Sequence, residues 1–195
     1  LNTLPKRLVI IGGGYISLEF ACMFQAFGSK VTILEASDTF LAREDRDVAD
    51  EMLRILNTRG IEVKLNAKTT ELQEKDSYTT VITSQGNFDA EAVLVAIGRK
   101  PATDELELHN ADIKTDERGY IITNDYLQVS DHIWAMGDVA KSPQFTYMSL
   151  DDYRIVRDQL FGESKRNRLD RKNIATSVFT YPTLAQVGLT EQQAK

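Results

Sequence analysis

The chain has 195 residues, enough for one good core with a smaller appendage, and a formal net charge of −6, which disfavours nucleic acid or a membrane surface as partner. No apolar run approaches the ~20 residues of a membrane span, and no signal peptide is expected. A single cysteine, Cys22, excludes an internal disulfide; set among apolar residues it is expected to be an inert buried thiol in a reducing, cytoplasmic setting.

The first stretch organises the rest. Leu8-Val9-Ile10-Ile11 is a short apolar run that predicts a buried strand, and it turns sharply at Gly12-Gly13-Gly14. Ile16, Phe20 and Phe24 then recur at four-residue spacing, one face of a helix that Gly28 stops. Val31-Thr32-Ile33-Leu34 predicts a second strand, closed by Glu35. Strand, glycine turn, helix and acid-ended strand make a dinucleotide-binding βαβ unit. Gly12 permits the tight turn. Gly14 lets backbone N–H groups approach a pyrophosphate, which the positive end of the helix dipole also favours. Ser17 stands at the third glycine of the GxGxxG pattern and is small enough for close helix–strand packing. Glu35 lies 21 residues after Gly14 (35 − 14), where a carboxylate can accept hydrogen bonds from an adenine-ribose hydroxyl.

Further on, Asp45 to Gly60 predicts a helix with Val48, Met52, Leu53 and Leu56 on its apolar face, followed by a third strand, Ile61 to Leu65. A second parallel unit would need another helix. Instead Thr69 to Asp89 reads as a β-meander, with Thr79 to Thr83 and the Gln85-Gly86-Asn87 turn as its clearest parts. Ala92 to Ile97 predicts a buried strand ending at Gly98. From about Asp104 the pattern changes: Gly119 to Thr123 is expected as a short strand, and His132 to Trp134 as a strand running into Met136-Gly137-Asp138. Ser149 to Asp152 has the form of a capping box, with Leu150, Tyr153, Val156, Arg157 and Leu160 on the helix that follows and Gly162 ending it. The basic run Lys165 to Lys172, without aromatics, is expected to be a solvated linker. Ser177 to Thr180 predicts a strand, and Thr190 to Gln193 the start of another helix.

In this order the pieces resemble the pyridine nucleotide–disulfide oxidoreductases, the flavoprotein family of glutathione reductase, dihydrolipoamide dehydrogenase and mercuric reductase. The motifs that carry the resemblance are IGGGYISLEFA, the acid-ended strand, the β-meander, LVAIGRKP, WAMGDVA and FTYPTLAQVGLTE. Within that family, QFTYMSLDDYRIVRDQLFGE is most similar to the reactive-chlorine-stress flavoproteins, the hypothiocyanous acid reductases.

The resemblance implies an α/β fold in three parts: a Rossmann-like NAD-binding domain over 1–103, the C-terminal part of an FAD domain over 104–172, and the start of a dimerisation domain over 173–195. It implies that Gly12 and Gly14 hold the NAD pyrophosphate and Glu35 its ribose, that Gly13, Tyr15, Ile16 and Ala36 also belong to the NAD site, and that Gly98 approaches NAD through its backbone. Tyr15 matches a ring that lies over the flavin until nicotinamide displaces it. Glu19 matches a neighbour of nicotinamide and flavin that pairs a lysine lying outside this chain. Without the resemblance, both read as ordinary helix-surface residues. Gly137 and Asp138 match the pair that holds the ribityl chain of FAD, and the helix after Ser149 would turn its positive end toward the flavin. NADPH-using relatives carry arginines at the positions of Ala36 and Ala42, so NADH is the expected cofactor. The first GxGxxG, the CxxxxC redox pair and the C-terminal histidine–glutamate pair of the family are not in this sequence, and no metal site is expected. The chain is therefore expected to be an internal segment of a homodimeric enzyme, inactive alone. Two rivals are a stand-alone NAD-sensing module, against which Met136-Gly137-Asp138 argues, and a methyltransferase, which the β-meander disfavours.

Overall fold

In the computed structural model, which describes all 195 residues, the apolar run forms β1 (Arg7–Ile11) at the centre of a parallel sheet. It pairs in register with β2 (Lys30–Leu34), Arg7 opposite Lys30 and Ile11 opposite Leu34. After the glycine turn comes α1 (Tyr15–Ala26), and Gly28, at a φ of +103°, carries the chain out of it. Helix α2 (Arg46–Thr58) leads into β3 (Glu62–Lys64), parallel to β2. Strands β4 (Thr69–Glu74), β5 (Thr79–Thr83) and β6 (Gly86–Ala90) form the expected antiparallel meander, and β7 (Ala92–Val95) returns beside β1, giving a sheet order of β3-β2-β1-β7. Next come β8 (Gln128–Ser130), β9 (Ile133–Trp134), α3 (Thr146–Phe161), the hairpin β10 (Ala175–Val178) with β11 (Leu184–Val187), and α4 (Glu191–Ala194).

The chain divides into two compact units, one of Leu1–Gly98 with Ala175–Lys195 and the other of Arg99–Ile174. The C-terminal segment Ala175–Lys195 thus packs with the first 98 residues. The reason is apolar: Val178 is buried in the same cluster as Leu8, Ile10, Leu18 and Ile33. Two carboxylates add to it. Glu19 accepts a hydrogen bond from the Phe179 N–H at 2.9 Å, and Asp45 accepts one from the Glu191 N–H at 2.9 Å.

Several elements differ from their sequence expectation. The buried face of α1 is Ser17, Leu18, Ala21 and Cys22, while Ile16 and Phe20 are exposed. Small residues at that contact bring the helix axis close to the sheet, which leaves the bulkier ridge outside. Helix α2 buries Ala49, Met52 and Leu56, with Val48 exposed. Strand β7 is an edge strand of this sheet and not a buried one: Val95 is 55% exposed, and Ile97, past the strand's end, 74%.

The second unit is built on Ile121, Leu127, Ala135, Ala140 and Ile155. Gly119 to Thr123 forms no strand, only the single bridge Thr115–Ile121. Helix α3 begins at Thr146, so Ser149 lies inside its first turns and caps nothing; its buried residues are Met148, Asp152 and Ile155, while Leu150, Tyr153 and Leu160 are exposed. The basic run is not wholly solvated. Its Arg171 bonds to the fully buried Asp152 and, at 2.8 Å, to Asp151, because the chain returns along α3 there.

Candidate functional site

The C-terminal ends of β1 and β2 build the crest of the first unit. Gly12 donates to the Leu34 carbonyl at 2.8 Å, the Glu35 N–H to the Lys64 carbonyl at 2.8 Å, and the Ala96 N–H to the Ile11 carbonyl at 2.8 Å, so the ends of β1, β2, β3 and β7 are locked together. At Gly12 φ is +103° and a Cβ would stand 2.5 Å from the Ala96 carbonyl oxygen; only glycine fits there. Gly14 is the opposite case. It is exposed, its φ is −80°, and no heavy atom lies within 4 Å of where a Cβ would be. It is the N-cap of α1 and supplies no side-chain cap, so the first N–H groups of that helix have no side-chain acceptor from the cap. An open approach to unsatisfied amides at a positive helix end suits an anion such as a pyrophosphate.

Beside this turn, Glu35 is held by two backbone donors: Gly13 N–H to Oε2 at 2.7 Å and Ser37 N–H to Oε1 at 2.7 Å. A Cβ on Gly13 would meet that Oε2 at 2.7 Å, so the second glycine is needed for the acid's position. Two accepted bonds leave lone pairs on the carboxylate for ribose hydroxyls. Ala36 is exposed next to it and offers no charge. Gly98, at a φ of +128° with open space around it, lies past the end of β7.

Tyr15 and Glu19 lie four residues apart on one face of α1. The Tyr15 hydroxyl donates to Glu44 Oε1, and burial first, then this bond, pushes the phenol up to about 12. Glu19 binds the Phe179 N–H, so in this chain the C-terminal hairpin meets the acid expected to face a lysine.

In the second unit, Gly137 takes a φ of +73° at the start of a 3₁₀ turn, Gly137–Ala140. Its N–H donates to Asp152 Oδ2 at 2.6 Å. Asp138 is paired with Arg99 at 3.0 Å, both about half exposed. The turn thus presents one half-exposed carboxylate, already paired with a guanidinium.

Sequence reasoning missed Glu44, Arg46, Arg99, Asp152 and Arg171. Asp152 and Arg171 were visible only as a cap and a linker charge, and Glu44 carried no signal at all.

The parallel sheet, its glycine turn and the acid-ended β2 define a Rossmann-type α/β protein. The chain belongs to the pyridine nucleotide-disulphide oxidoreductase family, whose sequence profile matches residues 1–152. It is 51% identical over 196 residues to the probable pyridine nucleotide-disulfide oxidoreductase RclA of Escherichia coli, covering all of this chain and 44% of that protein. Over 201 residues it is 37% identical to a mercuric reductase of Staphylococcus aureus and 35% to a dihydrolipoyl dehydrogenase of Geobacillus stearothermophilus, covering 36% and 42% of them. The solved HOCl-induced flavoprotein disulfide reductase RclA from Escherichia coli superposes with a TM-score of 0.95 at 51% identity, over 100% of this chain and 45% of that one. LpdA from Mycobacterium tuberculosis superposes at 0.89 with 25% identity, over 98% of this chain and 42% of that one. The chain thus spans less than half the length of these relatives. The subgroup suggested by QFTYMSLDDYRIV agrees with the HOCl-induced relative. No helix is long and apolar enough to cross a membrane.

Proposed function

We propose that this chain is the nicotinamide-dinucleotide-binding part of an FAD-dependent disulfide oxidoreductase, in which hydride passes from NADH to FAD and electrons go on to a cysteine pair outside the chain. Residues 1–103 are the NAD domain in this reading, 104–172 part of the flavin domain and 173–195 the start of a dimerisation domain. The parent is read as a cytoplasmic homodimer with no nucleic-acid or membrane partner.

The observation that carries the reading is the pairing of an open Gly14 with a Glu35 carboxylate fixed by two backbone amides. Gly14 and the first turn of α1 bind the pyrophosphate, and Glu35 orients the adenine ribose. Tyr15, Ile16 and Glu19 line the way to the nicotinamide, Gly98 approaches the dinucleotide through its backbone, and Gly137 and Asp138 hold the ribityl end of the flavin. The Gly137–Asp138 turn also disfavours the sensor alternative, since a pure NAD sensor has no use for a flavin-side acid.

Glu35 favours NADH. A carboxylate accepts from a ribose hydroxyl and repels a 2′-phosphate, at a cost on the order of 1–4 kcal/mol in a partly wet site. Titration calorimetry of the 195-residue chain should give NADH roughly ten-fold tighter than NADPH. Glu35→Ala with Ala36→Arg should reverse the order. Equal affinity of the unaltered chain for both cofactors refutes the assignment.

A further inference from the structure

Tyr15 is the first residue of α1 and stands directly after the open glycine, yet its hydroxyl is not free: it donates to Glu44. Glu44 belongs to the loop that follows β2. Strand order puts that loop and β7 on opposite sides of β1, so the bond draws the phenol ring toward the β2 side of the crest.

The loop is built to hold the acceptor still. Arg46 donates to the carbonyls of Phe40 at 3.0 Å, Leu41 at 2.6 Å and Glu44 at 3.0 Å, gathering the loop round one guanidinium, and Leu41 takes a φ of +45° to allow it. On the other flank Asp45 accepts the Glu191 N–H at the start of α4. Glu44 is thus anchored through its own backbone and through its neighbour.

We propose that Glu44 is a positioning residue for the dinucleotide: by bonding the Tyr15 hydroxyl it keeps the ring on the β2 side of the crest, clear of the β7-side path that a nicotinamide takes. The inference rests on the dinucleotide reading above. A dinucleotide crosses the strand ends with its adenosine at the β2 acid and its pyrophosphate at the glycine turn, so its nicotinamide continues past β1 toward β7. A ring freed from Glu44 turns about two side-chain torsions and spends part of its time in that path. Apparent affinity then falls by the fraction of time the path is open. ADP-ribose, which ends before the nicotinamide, is indifferent to the ring.

The test compares NADH with ADP-ribose on the 195-residue chain by calorimetric titration. Glu44→Ala should weaken NADH by roughly three- to ten-fold and leave ADP-ribose within about two-fold. Tyr15→Phe, which removes only the hydroxyl, should do the same and serves if Glu44→Ala does not fold. Glu44→Gln keeps an acceptor and should retain the original ratio. Adding Tyr15→Ala to Glu44→Ala should return the NADH to ADP-ribose ratio to that of Tyr15→Ala alone. Equal weakening of both ligands, or a double variant that restores nothing, overturns the positioning role while leaving the dinucleotide reading intact. An unaltered chain that binds neither ligand overturns the reading and this inference together.

Discussion

Alanine at Gly12 and alanine at Gly14 should fail in different ways, although the residues are two apart in one turn. At Gly12 the backbone φ of +103° is a region that L side chains rarely adopt, which costs about 1–3 kcal/mol. The added Cβ would also sit 2.5 Å from the carbonyl oxygen of Ala96, a residue fixed by its N–H bond to the Ile11 carbonyl, and such overpacking costs a further ~1–3 kcal/mol. Together the loss is roughly 2–6 kcal/mol, a large share of the ~5–15 kcal/mol of a typical domain. At about 2–4 °C per kcal/mol for a chain of this size, the melting temperature should fall by roughly 4–24 °C. At Gly14 the φ of −80° is ordinary and the space is open, so alanine should cost under about 1 kcal/mol, as a poorer N-cap. It should instead weaken NADH by roughly ten-fold or more, because the methyl group occupies the approach of the pyrophosphate. Urea denaturation followed by circular dichroism reads the first effect and calorimetric titration the second. A Gly12→Ala chain within about 1 kcal/mol of the parent, or a Gly14→Ala chain with unchanged NADH affinity, refutes the geometry.

Ser17 is fully buried against the sheet and its hydroxyl has no hydrogen-bond partner, so Ser17→Ala should raise stability by about 1 kcal/mol in urea melts, a loss of stability being the contrary result. The phenol of Tyr15 is raised from 10.0 to about 12 in the folded chain, so its neutral form is favoured by folding. The stability it contributes is complete below pH 10 and is lost as pH rises toward 12; Tyr15→Phe should flatten that part of the stability profile, and parallel profiles would contradict it. Asp152→Ala strands the Gly137 N–H and takes one of two carboxylates from Arg171, so the second unit should lose about 3 kcal/mol, read as Trp134 fluorescence in denaturant; an unshifted midpoint counts against the buried pair.

What the amino-acid sequence determined by itself are the features whose causes are local. Strand β1, the glycine turn, helix α1, the acid at the end of β2 and the meander β4–β6 follow from apolar period, from glycine's backbone freedom and from turn residues, all within a few positions of one another. Gly12, Gly14 and Glu35 could be singled out for the same reason, since the distance along the chain from turn to acid is set by one helix and one strand. Other features depended on where distant segments return, and only the tertiary structure decided them. Ser17 and Ala21, not Ile16 and Phe20, face the sheet because close helix packing selects small side chains. Glu19 meets Phe179 across 160 residues, and Arg171 is buried on Asp152 when its sequence neighbours are solvated. Tyr15 finds Glu44 because strand order sets one loop beside one helix start. A charge or a hydroxyl has the same chemistry wherever it stands. Its partner and its water are fixed only when the chain has closed around it.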